Sequence, residues 1–203
     1  EKLHPELPYH RGFSVYDESQ ARKLFVELLK AEGNFAKRVE GGAKTDSLKV
    51  QKVQATVSNL KNNHIGPAEY RSKDDADPLV AHIYPLYQET MLARNAIDYD
   101  DMLLLGVRLL RDSPEVRARC HRRFTHVHVD EFQDTNLVQY ELIRWLVPVE
   151  KGNLFCVGDA DQAIYGWRGA DPRNLRRLDE DYGLVECNVP PRMLAADAFA
   201  SPA

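Results

Sequence analysis

Cysteine is scarce in this 203-residue chain: three stand at positions 120, 156 and 187, and none forms a C-x-x-C pair. Cys156 falls inside an apolar run, so a reduced, intracellular protein is expected, in a bacterial cytoplasm or, in a eukaryote, a nucleus or organelle. No run of about 18 apolar residues occurs, so no membrane-spanning helix is expected. An excess of positive charge is missing too. The 27 basic and 31 acidic residues give a net charge of −4, so no global field draws in nucleic acid, and any DNA binding must come from a local groove and stacking. A phosphate-cradling loop of the form G-x-x-x-x-G-K-S/T is also absent. Gly41-Gly42-Ala43-Lys44-Thr45 puts a Lys-Thr pair near glycines, but it lacks Gly directly before Lys and follows a helical pattern, so it reads as a flexible loop. There is no internal repeat and no low-complexity tract. The opening Glu1-Lys2-Leu3 is not a signal peptide and does not begin with Met, so the chain reads as a piece of something longer.

What is present divides into two textures. The first half is helical. Asp17, with Gln20 three residues on, caps a helix whose apolar stripe is Ala21, Leu24, Phe25, Leu28 and Leu29, ending at Gly33. Residues 34–47 read as a loop. Val50, Val53, Val57 and Leu60 mark a second helix, stopped by Gly66-Pro67. Asp77-Pro78 opens a third, with Leu79, Ile83, Leu86, Tyr87 and Met91 inward. Asp98 or Asp100 caps a fourth, through Met102 to Leu110. Asp98-Tyr99-Asp100-Asp101 can hold a cation, but capping is the simpler role. Arg117, Arg119, His121, Arg122 and Arg123 read as a solvated helix face.

After Arg123 the pattern becomes strand, helix, strand. Phe124–Val129 is an apolar run closed by Asp130-Glu131, and Asn153–Val157 is another, closed by Gly158-Asp159-Ala160-Asp161-Gln162. Such runs predict buried parallel strands. Between them Val138, Leu142, Trp145 and Leu146 define an amphipathic helix with Trp145 in the core. This is one βαβ unit, which sets both polar clusters at the carboxyl edge of a sheet, where open α/β sheets hold ligands. Alone, Asp130-Glu131 reads equally well as a solvated strand cap. With Gln162, an amide able to sense a phosphate, and Tyr165 and Trp167, rings able to stack on bases, the nucleotide-hydrolysis reading gains weight. His126 and His128 alternate on one strand, without a third ligand at metal spacing. Residues 171–180 look helical, and Gly183–Cys187 suggests a further strand.

The strings Val129-Asp130-Glu131-Phe132-Gln133-Asp134-Thr135 and Val157–Ala170 resemble motifs II and III of the superfamily 1 DNA helicases of the UvrD/Rep type. Gly12–Asp17, Val57–Asn62 and His82–Gln88 are similar to that family's helical insertion, and Ala96–Met102 resembles the segment returning to its motor domain. The resemblance implies an α/β fold, a partial RecA-like P-loop motor domain with a helical insertion. Residues 1–96 would be the insertion, 97–180 the C-terminal half of the first motor domain, and 181–203 the start of the second. It implies ATP and Mg²⁺ as cofactors, single-stranded DNA and single/double-strand junctions as partners, and 3′-to-5′ unwinding in replication or repair. By resemblance Asp130 binds Mg²⁺, Glu131 is the catalytic base, and Gln162 reports the γ-phosphate. Tyr165 and Trp167 stack bases, and Arg168 holds the loop or links it to the nucleotide pocket. Near Asn188 the family has Asn-Tyr-Arg-Ser, whereas Asn188-Val189-Pro190-Pro191-Arg192 stands here, so the expected arginine is lacking. Two other readings stay open: a non-catalytic DNA-binding remnant, and an interaction module whose helical half docks another protein.

Overall fold

The computed structural model describes residues 4–33, 47–150, 152–162, 170–171 and 173–183. Strand β1 (Ser14–Tyr16) leads into helix α1 (Glu18–Ala31), followed by α2 (Ser47–Asn62), α3 (Pro67–Arg71) and α4 (Pro78–Ala93). Strand β2 (Ala96–Asp98) precedes α5 (Tyr99–Asp112) and α6 (Pro114–Arg123). Strand β3 (His126–Val129), α7 (Leu137–Leu146), β4 (Asn153–Cys156) and α8 (Arg173–Tyr182) complete the order. Helices mixed with parallel strands make this an α/β chain.

Local capping chemistry sets most helix starts. Asp17 and Gln20 form a reciprocal capping box on α1, and Asp98 and Asp101 form another on α5. Asp77 accepts from Leu79 and Val80 N–H, with Pro78 in the first turn, where its missing donor costs nothing. Pro67 does more than end α2: it occupies the first turn of the short α3. Of the expected loop 34–47, Gly41–Thr45 included, all but Ser47, the first residue of α2, lies outside the described residues, as does the Gly183–Cys187 strand beyond its first residue.

Two cores form. One packs α1, α2 and α4 around Leu24, Leu29, Val53, Ile83 and Met91, with Phe25 and Tyr87 stacked at 4.2 Å and 7° between ring planes. The other gathers Phe132, Tyr140, Ile143, Val147 and Leu178 from α7, α8 and the loop after β3.

Three expectations need correction. The first half is not purely helical: β1 and β2 pair in parallel, Ser14 opposite Ala96, and bring the two ends of the helical region together. The β3 and β4 strands are parallel, His126 opposite Asn153, but are not buried on both faces. Val127, Val129, Leu154 and Cys156 pack on the second core, whereas Phe155 and Val157 are each 49% exposed and His126 and His128 face outward. The two strands have α7 and α8 on one face only among the described residues, so strict alternation appears where a continuous apolar run suggested double burial. Finally, Trp145 is half-buried under the Arg117 guanidinium, 5.2 Å from its ring centroid, and α7 instead buries Val138, Tyr140 and Ile143. The helix is shared between two neighbours: Leu142 reaches toward Gly106 of α5, and Tyr140 and Ile143 face the second core.

Candidate nucleotide site

The parallel pairing of β3 and β4 brings the two polar clusters side by side. Val157 N–H donates to Val129 C=O (2.8 Å) and Phe132 N–H donates to Val157 C=O (2.9 Å), so the chain after each strand continues the ladder. Asp130 and Glu131 emerge there, both exposed. Glu131 has a left-handed backbone, φ 48° and ψ 45°, in a residue with a side chain, a conformation that costs about 1–2 kcal/mol. Its N–H donates to Asp130 Oδ1 (2.9 Å). His64 (φ 59°) and Asn95 (φ 48°) share this backbone conformation, so the strain fixes the Glu131 position without assigning it a role.

Gln133 anchors this geometry. It is 3% exposed. Its Nε2 donates to Glu131 Oε2 (2.7 Å), and its Oε1 accepts from Asp159 N–H (3.0 Å). Asp159 in turn organises its own loop, its two carboxylate oxygens accepting from Asp161 N–H (2.9 Å) and from Gln162 Nε2 (2.7 Å). Glu131 and Gln162, selected from sequence as base and phosphate sensor, are therefore joined through Gln133 and Asp159, every link between 2.7 and 3.0 Å. Gly158 suits this close approach: a Cβ there would lie 2.7 Å from Gln133 Oε1 and 3.3 Å from Phe132 Cβ, so the Gln133 amide would have to shift.

Behind the site lies a buried amide network. Asn136 caps α7 and donates to Asn62 Oδ1 of α2 (2.9 Å). Asn174 of α8, 1% exposed, donates to Thr135 O (2.9 Å), Thr135 Oγ1 (3.2 Å) and Asn136 O (3.1 Å). Asp171 ties down the start of α8: the Arg173 guanidinium hydrogen-bonded to it holds its carboxyl down at about 2, with Arg177 adding to the effect. The acidic loop thus rests on three elements.

The donor set fits a magnesium ion carried with phosphate. Mg²⁺ keeps several waters and binds through one or two carboxylates plus substrate phosphate oxygens, and one exposed aspartate at a strand end offers that. Among the described residues no group of three or more His, Cys, Asp and Glu is placed to hold a metal by itself. The large cleft of about 820 Å³ between α1, α2 and the start of α5 is a different place. Asp17, Glu18, Asp100 and Asp134 line it beside Arg22, with Asp98 held by the buried Lys61.

The structure brings together Asp130, Glu131 and Gln162. Tyr165, Trp167 and Arg168 lie outside the described residues. The Gln133 bridge has no role in the sequence reading. Its one signal there is chemical: glutamine carries donor and acceptor on one planar end, as a link between a carboxylate and a backbone N–H demands.

The model of the UvrD/REP helicase N-terminal domain matches residues 1–183. The chain is 39% identical over 177 residues to the ATP-dependent DNA helicase Rep of Salmonella typhimurium, covering 86% of this chain and 25% of that protein. It is 37% identical to Rep of Escherichia coli over the same length, and 36% identical over 174 residues to the ATP-dependent DNA helicase PcrA of Staphylococcus epidermidis, of which it covers 22%. The chain therefore spans about a quarter of the length of these relatives. With motif strings, strand-end carboxylates and a family match across most of its length, this chain belongs to the UvrD/REP helicase family.

Proposed function

We propose that this chain forms part of an ATP-driven helicase that moves 3′ to 5′ along single-stranded DNA and opens single/double-strand junctions in replication or repair. The observation that carries this is the linkage of Glu131 to Gln162 across the ends of two parallel strands. Magnesium-bound ATP would supply the phosphoryl group, with Asp130 as the protein ligand. Glu131, exposed and fixed by Gln133, orients and deprotonates the attacking water. Gln162, on the adjoining loop, changes partner from Asp159 to the γ-phosphate, and Arg168 steadies that loop or links it to the nucleotide. Tyr165 and Trp167, three and five residues on, stack DNA bases, so a change at the phosphate travels along one loop to the strand.

In this reading residues 1–96 are the helical insertion and 97–180 the later part of a RecA-like motor domain, with 181–203 entering a second. Two cores are in keeping with two units, although the 96/97 boundary falls inside β2, which pairs with β1 of the first segment. The assay is unwinding of duplexes bearing a 3′ or a 5′ single-stranded tail by a full-length helicase carrying this segment. Unwinding of the 3′-tailed duplex alone is expected, and preference for the 5′ tail contradicts the proposal. A second reading holds for the 203 residues by themselves. Their sequence contains no phosphate loop, so the isolated chain binds single strands and hydrolyses ATP negligibly. DNA-stimulated turnover near the usual enzyme value of about 10 s⁻¹ would contradict it.

A further inference from the structure

We infer that Gln133 is a positioning residue for hydrolysis, the part that sets the Glu131 carboxylate and ties its orientation to the state of the 157–162 loop. The inference rests on the reading of Glu131 as the base.

Three observations lead there. Glu131 is exposed, and an exposed glutamate samples several rotamers unless something selects one. The Gln133 amide makes that selection, donating to one carboxylate oxygen at 2.7 Å. A base acts only when its oxygen is within hydrogen-bond reach of the water it activates, so fixing the rotamer governs rate and not nucleotide affinity. Second, the other end of the same amide accepts from Asp159 N–H, the residue whose carboxylate holds the Gln162 side chain. When Gln162 turns to a phosphate, Asp159 loses that partner, and any shift of its backbone acts directly on the Gln133 carbonyl. Third, the chain makes room for this contact: Gly158 leaves the space through which Gln133 reaches the loop, and a methyl group would meet the amide oxygen at 2.7 Å. Any buried glutamine pairs both ends of its amide; what distinguishes Gln133 is its choice of partners, the Glu131 carboxylate and the Asp159 N–H.

The test uses a full-length helicase carrying this segment, with three variants measured for DNA-stimulated ATP hydrolysis and thermal stability. Gln133→Met keeps volume and loses both hydrogen bonds. Its kcat is expected to fall about 10–100-fold, the usual cost of removing a partner that orients a reacting side chain, while KM for ATP is expected to stay within about twofold because the buried Gln133 spends its amide on Glu131 and Asp159. Gln133→Glu is isosteric. At low pH its added carboxyl is protonated, donates to Glu131 and still accepts from Asp159. As pH rises it ionises against Glu131 and the donor is lost. Its kcat relative to wild type is therefore expected to be highest at acid pH and to decline as pH rises. A purely structural role would not make that ratio depend on pH, and this variant keeps the inference testable if Gln133→Met melts too early to assay. Glu131→Gln supplies the reference. If it abolishes turnover while Gln133→Met stays within threefold of wild type, or Gln133→Glu follows the wild-type pH profile, the positioning role is wrong and the base assignment stands. If Glu131→Gln leaves turnover intact, the base assignment itself is wrong, and the inference falls with it.

Discussion

Replacing Lys61 by methionine, which keeps the length of the side chain and removes its charge, tests how the helical half is fastened to the start of α5. The Lys61 side chain is fully buried, with Nζ 2.6 Å from Asp98 Oδ2 and 2.8 Å from Asp101 Oδ1, whose side chains are 13% and 4% exposed. Tyr87 donates to Asp98 (2.8 Å) and places its ring centroid 5.0 Å from the ammonium, and Gln88 donates to Asp101 (3.2 Å). Burial pushes the Asp98 carboxyl up, but Lys61 beside it outweighs burial and holds it below the usual carboxylate range. For Asp101 burial prevails over Lys61 and the carboxyl sits above that range. Asp98 thus contributes stability that is present above the unfolded value of about 3.9 and lost as pH falls. Asp101 contributes in the opposite sense, fully at low pH and less as pH rises through its elevated value. Without the cation both carboxyls are left buried and unpaired, both shift upward, and the loss at pH 7 should be about 3–5 kcal/mol. With a urea slope of roughly 2 kcal/mol/M, the denaturation midpoint moves down by about 1.5–2.5 M. Acidification to pH 5 should recover part of it, because protonation removes the uncompensated charge. Adding Asp98→Asn should recover more, since asparagine still caps α5. A loss under about 1 kcal/mol at pH 7, or an equal loss at pH 5 and pH 7, refutes the reasoning.

Trp167→Ala in a full-length helicase should weaken oligo-dT binding by about 1–3 kcal/mol with an unchanged melting temperature; a lowered melt with unchanged affinity would move Trp167 into a core. Gly158→Ala drives a methyl into Gln133 Oε1, so it should cost about 1–3 kcal/mol in a denaturant melt and lower ATP turnover; a neutral result on both would mean the loop yields freely. Asn174→Ala removes the side-chain donor shared by the Thr135 and Asn136 carbonyls, which keep the backbone N–H groups of Asp171 and Tyr140, so it should cost about 1 kcal/mol by the same melt, with no loss or a gain counting against the network.

Much of the fold was legible because its signals are local. The capping pair Asp17–Gln20 was readable as a helix start, as was Pro78 after Asp77, while the start of α5, left between Asp98 and Asp100 in the sequence, is capped by Asp98 with Asp101. The strand-end acids Asp130 and Glu131 were readable because chain direction and apolar runs fix where a parallel strand stops. What was not legible depends on partners distant in sequence. Strand β1 is three residues long and exists through its pairing with β2. Lys61 looks like an ordinary surface lysine on a helix, and its burial is decided by Asp98, Asp101 and Tyr87. Gln133 acquires a function only when β4 returns beside β3 and presents Asp159 N–H. The open face of the β3–β4 pair was misread for a related reason: Phe155 and Val157 are apolar enough for a core, but composition does not say which face is covered. Tyr165, Trp167 and Arg168 are assignments from the resemblance, and Trp167→Ala tests the second of them.

The central claim, that the β3 end holds the base of an ATP-hydrolysing site, is tested most directly by Glu131→Gln in a full-length helicase carrying this segment. Steady-state ATP hydrolysis with saturating single-stranded DNA should fall about 10²–10⁴-fold, while nucleotide affinity, measured in the presence of Mg²⁺, stays within about threefold of wild type because the carboxylate acts on water and not on ATP. Turnover reduced less than about threefold would place the base elsewhere, and with it the function assigned to this site.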